Sequence, residues 1–234
     1  MTSSDLLPIP ADRICIALDT ADPDQAAATA RLLAPYVGWF KVGVTLFAGA
    51  GLRAVEAVAS AGGHVFLDLK LHDIPAQVKG AVSAASDLGV GLLTVHAAGG
   101  PSMLAAAAEG RRNGLAVVAV TVLTSLSADE WARVCPGSSP EESVARLTDL
   151  AVAAGLDGVV LSPREVAATR SRVPWDFKLV TPGIRPVDGA MDDQARTGTP
   201  RGALADGADI LVIGRPVTHA ADPVAAIRAI RGLA

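Results

Sequence analysis

An aspartate, a lysine and a second aspartate lie close together in Asp68-Leu69-Lys70-Leu71-His72-Asp73-Ile74-Pro75. In an extended strand alternate side chains share a face, so Asp68 and Lys70 point one way while Leu67 and Leu69 point the other. An acid and an amine buried together are costly unless each compensates the other. Carboxylates on both sides of an amine favour its charged form. Such a set can place an ammonium where negative charge develops and then donate its proton. The plainer reading is a structural ion pair, and the neighbouring strand ends weigh against it. Lys41 sits in Trp39-Phe40-Lys41-Val42-Gly43 and Asp19 ends Ile16-Ala17-Leu18-Asp19. A lone strand-end lysine is more often a solvated rim residue, and Asp19 is also a candidate cap for the helix after Asp22. Their coincidence at adjacent strand ends points both into one cavity.

A second set lies in the last third. The apolar run Leu211-Val212-Ile213 ends in Gly214-Arg215-Pro216. Thr181-Pro182-Gly183-Ile184-Arg185-Pro186 leads into an Asp/Gly stretch that reaches Gln194. Gly214 permits close approach of a ligand, and Arg215 can make a forked contact to phosphate oxygens.

The elements that must position these residues recur as a unit: a short β-branched run, a polar or glycine-containing loop, then an alanine-rich helical stretch. Strands are predicted at Arg13–Leu18, Gly38–Val42, His64–Lys70, Gly91–Val95, Ala116–Val122, Gly158–Leu161, Lys178–Val180 and Ile210–Ile213. Helices are predicted at Asp22–Ala34, Leu46–Ala61, Pro75–Leu88, Pro101–Gly110, Ser139–Ala154, Arg164–Ser171, Ala203–Asp206 and Pro223–Ile230. Asp22-Pro23 reads as an N-cap with proline at the first helical position, and Gly62-Gly63 and Gly89 read as helix stops. Eight alternating pairs predict an α/β fold, a (β/α)₈ TIM barrel forming one domain over residues 1–234. An open doubly wound sheet is the runner-up, weakened because no G-x-G-x-x-G follows the first strand. In a barrel the chemistry belongs at the C-terminal ends of the strands, and phosphate commonly sits on the loops after strands seven and eight. Asp19, Lys41, Asp68, Lys70, His96, Thr124, Ser162 and Arg215 fall at such ends.

Bulk properties narrow the partners. The chain has 234 residues, half of them hydrophobic and only 3% aromatic, so its core must be built from Ala, Val, Leu and Ile. Mean hydropathy is positive, yet no apolar run approaches the length of a membrane span. The N-terminus lacks a basic segment followed by a long apolar one, so a cytoplasmic location is expected. A net charge of −4 with no basic run argues against nucleic acid as partner. Cys15 and Cys135 form neither a metal-ligand spacing nor a disulfide framework, and Cys15 reads as a small core residue. No metal site and no cofactor are expected.

With these residues in view, the chain resembles the orotidine 5'-monophosphate decarboxylase family of carboxy-lyases along nearly its whole length. The matching segments are Ala17-Leu18-Asp19, Phe40-Lys41-Val42-Gly43, Asp68 to Pro75, Val95-His96-Ala97-Ala98-Gly99-Gly100, Thr121-Val122-Leu123-Thr124-Ser125, Thr181 to Pro186 and Val212 to Pro216. The resemblance implies conversion of orotidine 5'-monophosphate to UMP without a cofactor. It implies that Lys70 donates a proton to pyrimidine C6, with Asp68 beside the substrate carboxylate. Lys41 and Asp19 would bind the ribose hydroxyls, and Thr124 would lie near the pyrimidine. Arg185, Gln194, Gly214 and Arg215 would gather the phosphate, with residues 186–194 closing over it. Asp73 would reach into the site of a second subunit, which makes a homodimer the expected working unit. Ala76-Gln77 stands where the family usually has Asn-Thr, and Gln77 would be left to make that cross-dimer ribose contact. Sugar-phosphate enzymes of the same superfamily share Asp-x-Lys-x-x-Asp but work through Mg²⁺ and carry Glu where this chain has Lys41. A silent phosphate-binding barrel would have no reason to retain the costly set Asp68, Lys70 and Asp73. His72 and His96 read as hydrogen-bonded packing residues, because the chemistry needs no imidazole.

Overall fold

Eight parallel strands close on themselves in sequence order, and β1 pairs with both β2 and β8. They are β1 (Ile14–Ala17), β2 (Trp39–Gly43), β3 (His64–Leu71), β4 (Leu92–His96), β5 (Ala116–Val120), β6 (Gly158–Val160), β7 (Lys178–Thr181) and β8 (Ile210–Ile213). The structure, a computed structural model, describes residues 7–185 and 196–233. The (β/α)₈ barrel expected from the alternation of elements is what the chain forms.

Strand periodicity sorts the core into two layers. Cys15, Ala17, Phe66, Leu92, Val118, Val180, Ile210 and Val212 pack together inside the barrel, with Trp39, Ala116 and Val160 against them. The alternate residues Ile14, Ile16, Phe40, Val42, Val65, Leu67, Leu93, Val95, Leu211 and Ile213 belong to the larger cluster shared with the helices. Small and β-branched side chains supply most of the interior of the barrel, and Phe66, Leu92 and Trp39 are its larger members. The inner register, followed upward along each strand, passes from Ala17 to Asp19, from Trp39 to Lys41, from Phe66 to Asp68 and from Leu92 to Thr94. The interior is apolar below and charged at the mouth.

The helices follow their local signals. In α1 (Pro23–Leu33) the Asp22 carboxylate accepts from the N–H groups of Asp24 and Gln25, and Pro23 starts the helix. The stretch predicted as one helix from Leu46 to Ala61 is two, α2 (Val44–Ala50) and α3 (Leu52–Ala59). Gly51 separates them at φ +57°, a conformation open to glycine, which ends the first helix and redirects the second. Next come α4 (Pro75–Ser86) and α5 (Gly100–Gly110), which pack on each other. The helix α6 (Ala128–Val134) was not among the predicted elements, and α7 (Pro140–Ala153) was. Both begin with a capping box, Ser127 with Glu130 and Ser139 with Glu142. The stretch Arg164–Ser171 divides into a 3₁₀ turn (Pro163–Glu165) and α8 (Val166–Arg170). Then α9 (Pro200–Ala205), α10 (Arg215–Thr218) and α11 (Pro223–Arg231) complete the chain. Among the described residues no helix is long and apolar enough to cross a membrane.

Candidate active site

At the C-terminal mouth of the barrel a cavity of about 260 Å³ is lined by Asp19, Lys41, Asp68, Lys70, Thr124, Arg185, Gly214 and Arg215, among others. Its centre is Asp68, which is buried. Lys70 Nζ donates to both carboxylate oxygens of Asp68, at 2.9 and 2.8 Å. Lys41 Nζ lies 3.3 Å from Asp68 Oδ2 and 3.6 Å from Asp19 Oδ1. The four charges thus run Asp19, Lys41, Asp68, Lys70 across the ends of β1, β2 and β3.

Alternation of sign is what makes the row tolerable in a part-buried place. Burial opposes the charge on Asp68, but the Lys41 and Lys70 ammoniums, with hydrogen bonds from Lys70 and Thr94, hold its carboxyl below the usual carboxylate range. Burial opposes the charge on Lys41 too, and there Asp68 and Asp19 outweigh it, so the amine is raised above the ordinary lysine value. Asp19 does not cap the following helix, a role that Asp22 fills. Asp19 is instead the exposed end of the row, facing Lys41.

The expected shared face of Asp68 and Lys70 holds, although the strand that carries them is not regular. Leu67 pairs with Leu93 of β4, whereas Leu71 pairs with Val95, so the register slips between them. Lys70 takes a positive φ of 50°. Thr94, fully buried on β4, accepts a hydrogen bond from the Lys70 N–H at 2.8 Å and donates one to Asp68 Oδ1 at 3.0 Å.

Across the cavity, Gly183 and Arg185 follow β7, and Gly214 and Arg215 follow β8. The Ile184–Gly198 bridge ties the start of the β7 loop to its return. A Cβ on Gly214 would meet Asp19 Oδ2 at 3.4 Å and Ala17 Cβ at 3.6 Å, ordinary contact distances.

The sequence model described as the orotidine 5'-phosphate decarboxylase / HUMPS family matches residues 12–230. The chain belongs to this family. It is 52% identical over 221 residues to the orotidine 5'-phosphate decarboxylase of Anaeromyxobacter sp. (strain K), covering 94% of this chain and 97% of that one. With the enzyme of the same name from Moorella thermoacetica it shares 50% identity over 230 residues, covering 94% and 90% of the two chains. Among solved structures, orotidine 5'-phosphate decarboxylase from Lactobacillus acidophilus superposes with a TM-score of 0.81 at 35% identity, covering 95% of this chain and 98% of that one.

Of the residues that the decarboxylase family resemblance singles out, Asp19, Lys41, Asp68 and Lys70 share one wall of the cavity. Thr124 is buried in a second wall with Leu123 and Ser125 beside it, and Arg185, Gly214 and Arg215 form the third. Asp73 and Gln77 stand apart from this cavity on an exposed run from His72 to Gln77. There the Asp73 carboxylate accepts from the N–H of Ile74 at 2.6 Å. Gln194 lies outside the described residues. His72 and His96 stack with ring centroids 5.2 Å apart. His96 Nδ1 accepts from the Ala98 N–H at 3.4 Å. Burial, His72 and Lys70 together lower the His96 pKa, which favours a neutral ring.

Two features escaped the sequence reading. One is Thr94, whose signal was a polar residue in the inner register of an apolar strand. The other is the buried pair Glu165 and Arg196, joined at 2.6 Å. Arg196 also donates to the carbonyls of Val122 and Leu123 at 3.3 and 3.1 Å, just before Thr124. Glu165 in turn accepts from Ser162, its capping-box partner.

Proposed function

We propose that this chain decarboxylates orotidine 5'-monophosphate to UMP in pyrimidine biosynthesis, with Lys70 as the proton donor. The observation that carries the reading is the Lys70 ammonium held on Asp68 inside a cavity whose far wall offers Arg185 and Arg215. In the closed strand order β7 stands opposite β3, so the proposed pose has the reacting ring toward Lys70 and the phosphate toward the arginines. When the C6–carboxylate bond breaks, CO₂ leaves and its electron pair stays on C6. No adjacent carbonyl spreads that charge as an enolate, so a preorganised ammonium is the direct stabiliser. The Lys70 proton then passes to C6, giving UMP and a neutral amine that solvent recharges. Lys41 and Asp19 bind the ribose hydroxyls, and Lys41 keeps Asp68 ionised against its burial. Thr124 borders the pyrimidine. Arg185, Gln194, Gly214 and Arg215 hold the phosphate, whose remote binding energy is used at the reacting carbon.

The working unit in this reading is a homodimer, with Asp73 and Gln77 completing the site of the second copy. Their exposure away from their own cavity, beside the exposed apolar Ile74, supports that arrangement. The sugar-phosphate branch of the family is disfavoured by Lys41. Its ammonium lies 3.3 Å from Asp68, where a divalent cation would instead need a carboxylate.

The test is absorbance-monitored turnover of orotidine 5'-monophosphate in excess EDTA, with Lys70→Ala alongside. Fast UMP formation by the wild type, lost in the variant, is the expected result. No turnover by a well-folded protein overturns the assignment, and sugar phosphates with Mg²⁺ become the next substrates to assay.

A further inference from the structure

Three residues of β3, Asp68, Leu69 and Lys70, stand opposite Thr94 alone on β4, because Leu67 pairs with Leu93 and Leu71 with Val95. Extra residues in one strand disrupt the ladder locally and re-aim side chains. Lys70 pays for this with a left-handed backbone, φ 50°, which lysine rarely adopts. Its N–H has turned to Thr94 Oγ1 at 2.8 Å. The hydroxyl carries a single proton, and that proton goes to Asp68 Oδ1 at 3.0 Å. Thr94 is 0% exposed, so solvent does not compete for either bond.

We propose that Thr94 is a positioning residue for the decarboxylation: its hydroxyl fixes the strained Lys70 backbone and the Asp68 carboxylate in one arrangement. The ammonium on Lys70 is then aimed from both ends, through its main chain by Thr94 and through its Nζ by Asp68. This inference rests on the reading of Lys70 as proton donor given above. Thr94 itself does not line the cavity, so it acts on the reaction through these two partners.

Valine in place of Thr94 keeps the branched shape that a strand favours and deletes both hydrogen bonds. Serine keeps the hydroxyl and loses a methyl. A misplacement of about 1 Å can cost roughly 100-fold in rate, so Thr94→Val is expected to lower kcat by roughly 10- to 100-fold. KM for the nucleotide and the Kd of UMP should stay near the wild-type values, because the groups proposed to hold ribose and phosphate are untouched. Thr94→Ser should restore most of kcat, and thermal melting reports whether each variant is folded. A purely structural role would move Tm without this split between kcat and KM.

Wild-type kcat in Thr94→Val overturns the proposal, as does a Thr94→Ser variant as slow as Thr94→Val. If the valine variant does not fold, Thr94→Ser against Thr94→Ala isolates the same hydroxyl. Serine fast and alanine slow supports the role, and equal rates overturn it. A folded wild-type chain with no turnover removes the reading of the site, and this inference with it, before any variant is compared.

Discussion

Asp157 and Asp209 at one end of the barrel and Asp68 at the other are held in opposite ways. At the N-terminal ends of the strands, Asp157 precedes β6 and Asp209 precedes β8. Asp157 Oδ2 accepts from the Val117 N–H of β5 at 2.7 Å and from Arg111 at 2.5 Å. Asp209 Oδ2 accepts from the Leu179 N–H of β7 at 2.9 Å and from Arg170 at 2.5 Å, while Oδ1 takes Arg13 at 2.9 Å. Each carboxylate stitches a neighbouring strand to a guanidinium. At the C-terminal ends, Asp68 is held by the amines of Lys70 and Lys41 and by the Thr94 hydroxyl. A guanidinium offers a planar fork and a charge that it does not give up, whereas an ammonium can be deprotonated. The charges that hold the fold are arginine-capped and turned onto backbone. The Asp68 carboxylate facing the cavity is lysine-held, and in the proposed reaction Lys70 retains a proton to transfer.

Exchanging the cations is the sharpest way to break that contrast. Lys70→Arg keeps the charge beside Asp68 but replaces the proposed proton donor, and kcat should fall by roughly 1,000-fold or more. Comparable turnover by this variant would show that charge alone suffices. At the other end, Asp209→Ala leaves Arg170, which is buried, without its carboxylate. Loss of a partner from such a pair costs about 3 kcal/mol, read by urea unfolding, with kcat/KM of the folded enzyme unchanged. A drop in kcat/KM there would erase the division of labour between the ends. Arg215→Ala should lower kcat/KM for the whole nucleotide by about 100-fold while sparing stability, since in the proposed reading remote phosphate binding serves the chemical step. An unchanged kcat/KM would remove Arg215 from the phosphate wall.

The smallest effect is expected from acid. The folded state depresses the Asp68 pKa below the ordinary 3.8, so its contribution to stability is fully present above that value. It is lost as pH falls through the lower, folded value. Unfolding measured down an acid series should therefore fall less steeply in Asp68→Asn than in the wild type below about pH 4. Identical acid limbs would mean that the row of charges contributes nothing to the fold.

Much of this was legible because strand alternation carries a strong signal. Asp19, Lys41, Asp68 and Lys70 were placed on one cavity from their inner-register positions at adjacent strand ends. Phe66 and Cys15 below them fall where the same parity puts them. What was hidden depends on tertiary events with weak local signatures. Gly51 inside an otherwise helical pattern gives no sign of adopting φ +57° and splitting α2 from α3. Helix α6 is the exception, since the capping box Ser127 to Glu130 is a readable local start signal. The β3 bulge has no sequence mark at all, and with it the part played by Thr94 stayed out of view. The meeting of Glu165 with Arg196 needs three loops to converge, which no spacing encodes.

The backbone at position 70 has a bearing on how such a protein evolves. A left-handed conformation suits glycine or asparagine better than lysine, by about 1 kcal/mol or more. Selection for melting temperature alone therefore has a reason to relax this backbone, and against it stand the hydrogen bonds that Lys70 gives to buried Asp68. A library sorted on thermal resistance without an activity screen should therefore reach glycine or asparagine at position 70 together with a neutral residue at position 68. On the proposed role of Lys70, its winners would be sturdier barrels that have forgotten their reaction.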